Sequence, residues 1–352
     1  MSKPVYRAGI IGTARVGSWY DDLTGPRAPE LLPYSHASCY QTYERTELVA
    51  GSDLDPERLQ QFGEKWGVKA LYADYREMLE KENLDIVSIT TSWGHDHAAI
   101  APVVAESGVK GIFCEKPIAT SMAEADRIVQ AVQDNGVKFA CAYLRRYRPY
   151  YDALRDAIAA GTIGDLPSMT AIGVGTLMHA GTHYTDLMMY LAGEPEPAWA
   201  FGRIEPVPPE ATSPTQKVDP PGSGYIEMQN GVRFFLEGVT RAPISFVIAG
   251  TEGQIVVHND GRDATLWRRP GADGGRWWPS EPFPLPPQDR SPVLKIVEDI
   301  VNCIDTGDEP INNERHSART MELCIALHAS HNQGGVRVSF PLADRDLSVD
   351  TW

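Results

Sequence analysis

The sequence predicts an α/β domain on a doubly wound parallel sheet, followed by a domain of consecutive strands that pair antiparallel. Three observations predict this. A glycine-spaced turn follows the first apolar strand at once, strand and helix patterns alternate up to about residue 145, and strands joined by short turns follow. At 352 residues the chain exceeds what one core ordinarily supports, so two domains are expected, residues 1–144 and 145–352. The net charge of −15 argues against nucleic acid or an anionic membrane surface as partner, since both need a basic face. No run approaches the ~18 apolar residues of a membrane span. Met1 to Pro4 lead straight into an apolar strand, which leaves no room for a signal peptide. Cys39, Cys114, Cys141, Cys303 and Cys324 are scattered without a Cys-x-x-Cys pair, as free thiols in a reducing cytoplasm are.

The run from Val5 to Ile11 reads as a buried strand, and Gly12-Thr13-Ala14-Arg15-Val16-Gly17 follows directly. This is the dinucleotide-binding spacing, in which glycines allow a tight turn and close approach to a pyrophosphate. Ala14 takes the second glycine's place and is expected to shift the phosphates or tilt the loop. Taken alone, the pattern also suits a strand–turn–helix packed on its glycines. A second strand, Leu48 to Ser52, ends at Asp53. That carboxylate can accept from an adenosine ribose and repel a 2′-phosphate, or serve as a turn residue before Asp55 and Pro56. No arginine clamp for a 2′-phosphate stands nearby, Arg58 lying inside the next helix, so NAD is favoured over NADP. Gly17 and Asp53 are 36 residues apart, against ~20 in the usual unit. The surplus, residues 19–35, is rich in proline and aromatics and reads as an insertion, after which the first helix resumes near His36.

Helix and strand patterns then alternate: Asp55–Trp66, Leu84–Thr90, His97–Ser107, Gly111–Cys114, Ala123–Asn135 and Val137–Cys141. Parallel sheets bind ligands at strand C-terminal ends. Three polar groups fall there: Thr90, Thr91, Ser92, Trp93 and His97; Glu115 with Lys116; and Tyr143 to Pro149, including Arg146. His97 suits either the cofactor's edge or a helix cap, and Trp93 either a stacking platform or a packed ring.

A helix from Tyr151 to Ala160 opens the second half. Strands are expected at Ser168–Thr176, Ala198–Ile204, Gly224–Met228, Val232–Val239, Ser245–Ile248, Gln254–His258 and Ala264–Arg268, with a hairpin at Asn230-Gly231. The proline-rich stretches Glu205–Pro221 and Pro279–Pro292 cannot be central strands, and helices are expected at Pro292–Thr306 and Ser317–Ser330. Between them lies His179-Ala180-Gly181-Thr182-His183, with Asp186 just ahead of the apolar run Leu187–Leu191. In an α-helix the two histidines share a face and Asp186 stands one turn beyond. Such a set can move protons, hold a metal or cap a helix. A metal needs a third ligand, and no glutamate follows the first histidine, so none is expected.

Taken in order, Gly12-x-Ala14-x-x-Gly17, Thr90-Thr91-Ser92 with His97, Glu115-Lys116-Pro117, Arg146-Tyr147-Arg148-Pro149 and Gly181-Thr182-His183-Tyr184-Thr185-Asp186 resemble the glucose–fructose oxidoreductase and inositol dehydrogenase (Gfo/Idh/MocA) family. Gly250–Gly253, Glu322 and Phe340–Leu342 extend the resemblance over nearly the whole chain. It implies an N-terminal Rossmann domain and a C-terminal domain on a large, mostly antiparallel open sheet, which in relatives often forms a homodimer or homotetramer interface. It implies that Lys116 sits beside the nicotinamide and the reacting hydroxyl, that Glu115 places that segment, and that His183 is the general acid/base. His179 departs from the family's Asp-x-Gly-x-His run: an imidazole stands where relatives carry a carboxylate.

Oxidising a secondary alcohol needs a base for its proton, and imidazole, titrating near ~6.5, suits that task. A lysine on the same oxygen stabilises the alkoxide character that develops. The expectation is an NAD-dependent oxidoreductase acting on a secondary hydroxyl or ketone of a sugar, cyclitol or sugar acid. The loss of a carboxylate at 179, with Lys116 and Arg146, favours an anionic substrate such as a uronate. The alternative is a glycoside lyase or hydrolase that oxidises transiently with tightly bound NAD, His179 being the extra acid/base. Lys116 and His183 speak against a non-catalytic nucleotide sensor.

Overall fold

The computed structural model describes residues 3–206, 219–238, 242–271 and 276–349. Two compact units result: residues up to Tyr147 with Gln288–Ala318, and Arg148–Pro287 with the residues from Arg319 on.

The first unit holds strands β1 (Tyr6–Ile11), β2 (Thr46–Ser52), β3 (Ala70–Tyr72), β4 (Ile86–Ile89), β5 (Gly111–Cys114) and β6 (Lys138–Cys141). They form one sheet in the order β3-β2-β1-β4-β5-β6, all pairs parallel. β4 and β5 are buried throughout, as strands covered on both faces must be. The helices are α1 (Tyr20–Thr24), α2 (His36–Thr42), α3 (Pro56–Trp66), α4 (Tyr75–Lys81), α5 (Gly94–Glu106) and α6 (Met122–Asn135). Local chemistry sets their ends. The Asp55 side chain accepts from the N–H groups of Glu57 and Arg58 ahead of Pro56, and α3 stops at Gly67, whose φ is 71°. The insertion is ordered around Asp21. Its carboxylate accepts from Tyr34 N (2.8 Å), Ser35 N (3.0 Å) and Ser38 Oγ (2.8 Å), so it is fastened to the start of α2, where Ser35 caps the helix.

A single division near residue 145 does not describe where the chain goes, because residues 288–318 return to the first unit. The reason is the apolar stripe of a later helix, Pro292–Thr306 (α9 below): Val293, Ile296, Val297 and Ile300, spaced by three and four, join the core of Ile10, Ile86, Phe113 and Ala140.

In the second unit, nine described strands are β7 (Ser168–Ile172), β8 (Pro197–Ile204), β9 (Gly222–Met228), β10 (Arg233–Glu237), β11 (Ser245–Ala249), β12 (Gly253–His258), β13 (Asp263–Arg268), β14 (Ser280–Pro282) and β15 (Val338–Ser339). Their order is β14-β13-β12-β11-β7-β10-β9-β8-β15. Neighbours pair antiparallel except β7 with β10, which run parallel at the sheet's centre. The sheet is thus mostly antiparallel, as expected: short turns dictate pairing only between consecutive strands, and the parallel pair is joined through two others. The Asn230-Gly231 hairpin stands between β9 and β10, with Gly231 at φ 86°. The Pro279–Pro292 stretch contributes only the edge strand β14. Of the Glu205–Pro221 stretch, residues 207–218 lie outside the described residues.

The second unit's helices are α7 (Pro149–Ala159), α8 (Thr182–Leu191) and the later part of α10 (Glu314–Asn332), while α9 (Pro292–Thr306) belongs to the first unit. The part of α10 from Arg319 on belongs to this unit and packs against β8 and β9 at closest range. A Cβ on Gly202 would stand 2.6 Å from Leu327 Cβ, so only glycine permits the approach. Burial alternates along β8, with Ala200, Gly202 and Ile204 buried and Phe201 exposed. Among the described residues, no helix is long and apolar enough to cross a membrane.

Candidate active site

β1 delivers the glycine turn to the sheet's C-terminal edge. Gly12 has φ 89°, and a Cβ there would come within 2.9 Å of Thr91 N. A Cβ on Gly17 would stand 2.4 Å from Gly12 O and 2.8 Å from Thr90 Oγ1. Thr90 Oγ1 itself donates to Ile11 O or Gly12 O, tying the ends of β1 and β4 together. Arg15, Val16 and Gly17 form a short 3-10 turn, and Arg15 Nη2 donates to Tyr20 Oη of the insertion (3.2 Å).

Asp53 turns out to do local work. One carboxylate oxygen accepts from Thr13 N (2.8 Å) and Thr13 Oγ1 (3.1 Å), and the other accepts from Asp55 N (2.9 Å). A carboxylate offers about four acceptor sites, so one remains for a ribose hydroxyl. The two roles weighed for Asp53 are compatible.

A cavity of about 790 Å³ opens over these strand ends, lined by Gly12, Ala14, Asp53, Thr90, Thr91, Ser92 and Trp93. Two polar atoms at its wall, Tyr75 Oη and Thr91 Oγ1, are buried without a hydrogen-bond partner among the described residues. Buried polar groups are ordinarily satisfied, so such atoms suit a wall that receives a polar ligand. Arg58 and Arg76 also line the cavity, which corrects the expectation that no arginine stands near. α3 and α4 both begin at strand C-terminal ends, so their first turns face the cavity. Each guanidinium is matched by an aspartate, Arg58 with Asp55 (3.2 Å) and Arg76 with Asp74 (3.7 Å). Asp53, Asp55, Asp74 and Asp96 together outnumber the two arginines on the lining.

The second cluster forms where β5 ends. Glu115 Oε2 accepts from Lys116 N (3.3 Å), and the Lys116–Pro117 bond is cis. Glu115 Oε1 lies 3.2 Å from His36 Nε2, His36 Nδ1 lies 2.9 Å from Ser88 Oγ, and Tyr40 Oη bonds the same hydroxyl at 2.8 Å. The His36 ring stacks on Phe113 at 3.8 Å. Burial works to raise the Glu115 carboxyl, but the His36 hydrogen bond and the charges of His36, Lys116 and His97 outweigh it and hold the group below its usual value. The sequence reading missed His36 as a functional side chain. Its signal was the resumption of the first helix, which marked a position and no partner 79 residues away.

His97 neither caps α5 nor lines the cavity. It is buried, with Nδ1 2.7 Å from Pro117 O and Nε2 3.0 Å from Thr91 O, so it staples the turns that follow β4 and β5 together. Burial lowers its imidazole below the ordinary value, against the upward pull of the two carbonyls. Trp93 lies on the cavity wall with its ring 6.0 Å from that of His95. Arg146 sits in the 3-10 turn Leu144–Tyr147 and is only 2% exposed. Thr13, Arg15, Val16, Gly17, Glu115, Lys116 and Arg146 lie outside the cavity lining itself.

In the second unit the histidine run opens with one π-helical turn, Leu177–Gly181, closed by Gly181 N donating to Thr176 O (2.7 Å), and continues as α8. A π turn holds an extra residue and recurs at functional sites. Of the described α8 side chains, only His183 escapes burial, and His179 is likewise half-buried. Asp186 is fully buried, and Thr320 Oγ1 of α10 donates to it at 3.4 Å. A residue absent from the sequence reading enters here. Asp219 Oδ2 accepts from Met178 N (2.9 Å) and His179 N (2.6 Å). Among the described residues, no three His, Cys, Asp or Glu side chains gather as a metal site.

Comparison with known proteins agrees with this architecture. The family model for Gfo/Idh/MocA oxidoreductases, NAD-binding Rossmann fold, matches residues 7–143, and that for the Gfo/Idh/MocA C-terminal domain matches residues 151–256. Myo-inositol 2-dehydrogenase of Thermotoga maritima is 28% identical over 214 residues, covering 56% of this chain and 58% of the relative. D-apiose dehydrogenase of Paraburkholderia graminis is 34% identical over 130 residues, covering 37% and 34%. The chain thus spans between about a third and three fifths of these relatives' lengths. Levoglucosan dehydrogenase, solved with NADH and L-sorbose, superposes with a TM-score of 0.78 at 20% identity, over 97% of this chain and 100% of that one. At that identity the likeness is one of fold.

Proposed function

Because the chain belongs to the Gfo/Idh/MocA family of oxidoreductases, with its NAD-binding Rossmann domain and C-terminal domain, we propose that it oxidises a secondary hydroxyl, or reduces the ketone, of a sugar, cyclitol or sugar acid. The observation that carries this reading is the cavity at the strand ends, with its glycine turn, its Asp53 clamp and the unsatisfied Tyr75 Oη and Thr91 Oγ1. Gly12 to Gly17 hold the pyrophosphate and Asp53 the ribose of NAD, which supplies the hydride acceptor when bound. The four carboxylates on the lining oppose a further phosphate at the ribose 2′ position, so NAD is preferred to NADP.

His183 takes the hydroxyl proton at a ring nitrogen, and its half-exposed place on a helix buried elsewhere supports that role. Lys116 donates a hydrogen bond to a substrate oxygen as negative charge builds on it. Glu115, held ionised by His36, fixes the Lys116 backbone, and His97 fixes Pro117. Trp199, Phe201, Tyr225 and Phe235 touch one another on the sheet, ring centroids 4.9–6.1 Å apart. A second copy of the chain covers this aromatic face, and Phe201→Glu shifts the sedimentation coefficient to that of a monomer.

A second reading draws on His179, half-buried four residues before His183: a lyase or hydrolase with transient oxidation, His179 acting as the further acid/base. One experiment separates the two. Nucleotide released from the purified protein is identified by mass spectrometry, and a panel of polyols, sugars and uronates is followed for NADH and for product. NADH equal to product supports the dehydrogenase, and product without NADH supports the second reading. No bound nucleotide and no turnover with either NAD or NADP would sink both.

A further inference from the structure

We propose that Asp219 is a positioning residue for His179 and His183, a carboxylate from a separate segment that seats the first turn of their helix and sustains their proton affinity. The inference rests on the reading of these histidines as the acid/base set. The first N–H groups of a helix have no partner within it. Here Thr176 at the N-cap offers no side-chain acceptor, and Asp219 Oδ2 takes the N–H groups of Met178 and His179 from about forty residues along the chain. The neighbouring Pro221 pairs with Thr176 as an isolated bridge, which holds the segment in place. Asp219 is 4% exposed, so it acts where water screens little.

The electrostatics give the carboxylate a second task. A helix N-terminus carries partial positive charge and disfavours an imidazolium in its first turns. His179 and His183 occupy those turns, and Asp219 places a negative charge at the same end. A carboxylate is thereby present at the start of this helix although residue 179 is an imidazole. Among the described residues, the charged or titratable groups facing this helix within its unit include Asp186, Tyr184 and Tyr190 on α8 itself, Cys324 on α10, and Asp152 and Arg155 on α7, which engage Tyr190 at the helix's far end.

The test reads the imidazoles directly. The full-length protein, labelled with 15N-histidine, is titrated by long-range 1H–15N NMR, with His179 and His183 assigned from His179→Gln and His183→Gln. Asp219→Asn keeps an oxygen acceptor for both N–H groups and removes the charge, whereas Asp219→Ala removes both. Asp219→Asn is expected to lower the His179 midpoint by about one pH unit, about tenfold in proton affinity, and that of His183 by less. Asp219→Ala is expected to lower both midpoints and the Tm as well. A His179 midpoint within about 0.2 units of wild type in Asp219→Asn, when a whole unit is expected, overturns the inference and leaves Asp219 a structural cap. Should Asp219→Asn not fold, Asp219→Ser is read by the same criterion. No substrate enters the titration. A shifted midpoint in a protein without dehydrogenase activity therefore supports this inference while sinking the functional one, and an unshifted midpoint in an active enzyme does the reverse.

Discussion

Replacing Asp53 with asparagine separates the two things its carboxylate does. In the structure one oxygen accepts from Thr13 N and Thr13 Oγ1 and the other from Asp55 N. Asparagine has a single acceptor oxygen, so whichever way the amide turns, its NH2 faces a donor. At least one charge-assisted hydrogen bond is lost, worth ~1.5–3 kcal/mol. Asp53 is only half-buried, so the lower figure applies, and ~1.4 kcal/mol is a factor of ten in affinity. The dissociation constant for NAD is therefore expected to rise about tenfold. For NADP, the loss of a charge opposing the 2′-phosphate offsets the looser loop, so the preference for NAD over NADP shrinks by about fivefold or more. Titration calorimetry with both nucleotides at fixed salt measures this. An unchanged NAD to NADP ratio would refute the role given to Asp53, whatever happened to the affinities themselves.

Two further outcomes follow from single side chains. Gly17→Ala places a Cβ 2.4 Å from a backbone oxygen of its own loop, so the turn must shift. Overpacking of ~1–3 kcal/mol should appear in fluorescence titrations as roughly tenfold or greater loss of NAD affinity, and unaltered binding would show that the turn does not cradle the nucleotide. His328 on α10 is 7% exposed, and its Nε2 has no hydrogen-bond partner among the described residues. Burial first, and the neighbouring His331 second, push its imidazole down to about 4. The unfolded chain takes up this proton near ~6.5 and the folded chain does not, so stability is complete above that pH and is lost as pH falls toward 4. From pH 7 to 5, the 1.5 units below ~6.5 at ~1.36 kcal/mol each give a loss of about 2 kcal/mol. His328→Leu should lack this loss in urea unfolding at the two pH values, and parallel behaviour of variant and wild type would contradict the assignment.

How much was legible in the sequence depended on whether a signal was local. The parallel sheet announced itself because buried strands read as continuous apolar runs and helices carry their caps beside them, as Ser35 does for α2 and Asp55 for α3. The glycine turn and Asp53 were found for the same reason. What escaped was set by tertiary pairing. β7 pairs with β10 and β11 and with neither of its sequence neighbours. His36 meets Glu115, and Asp219 meets His179, across 79 and 40 residues. Arg58 was visible as a helix residue and Arg76, on the short helix α4, was not read at all; which way their first turns face followed from the sheet order. The spacing of His179 and His183 suggested one α-helical face, and the π turn at Leu177–Gly181 replaced that geometry at its start.

The most direct measurement is NADH formation on the best substrate of the panel, with Lys116→Met and His183→Gln compared against wild type and NAD binding determined for each. General acid–base catalysis contributes ~10²–10⁴-fold, so both variants should keep their NAD affinity and lose turnover by at least about a hundredfold. Turnover by His183→Gln at the wild-type rate, with NAD bound as before, would contradict the assignment of the proton to this residue.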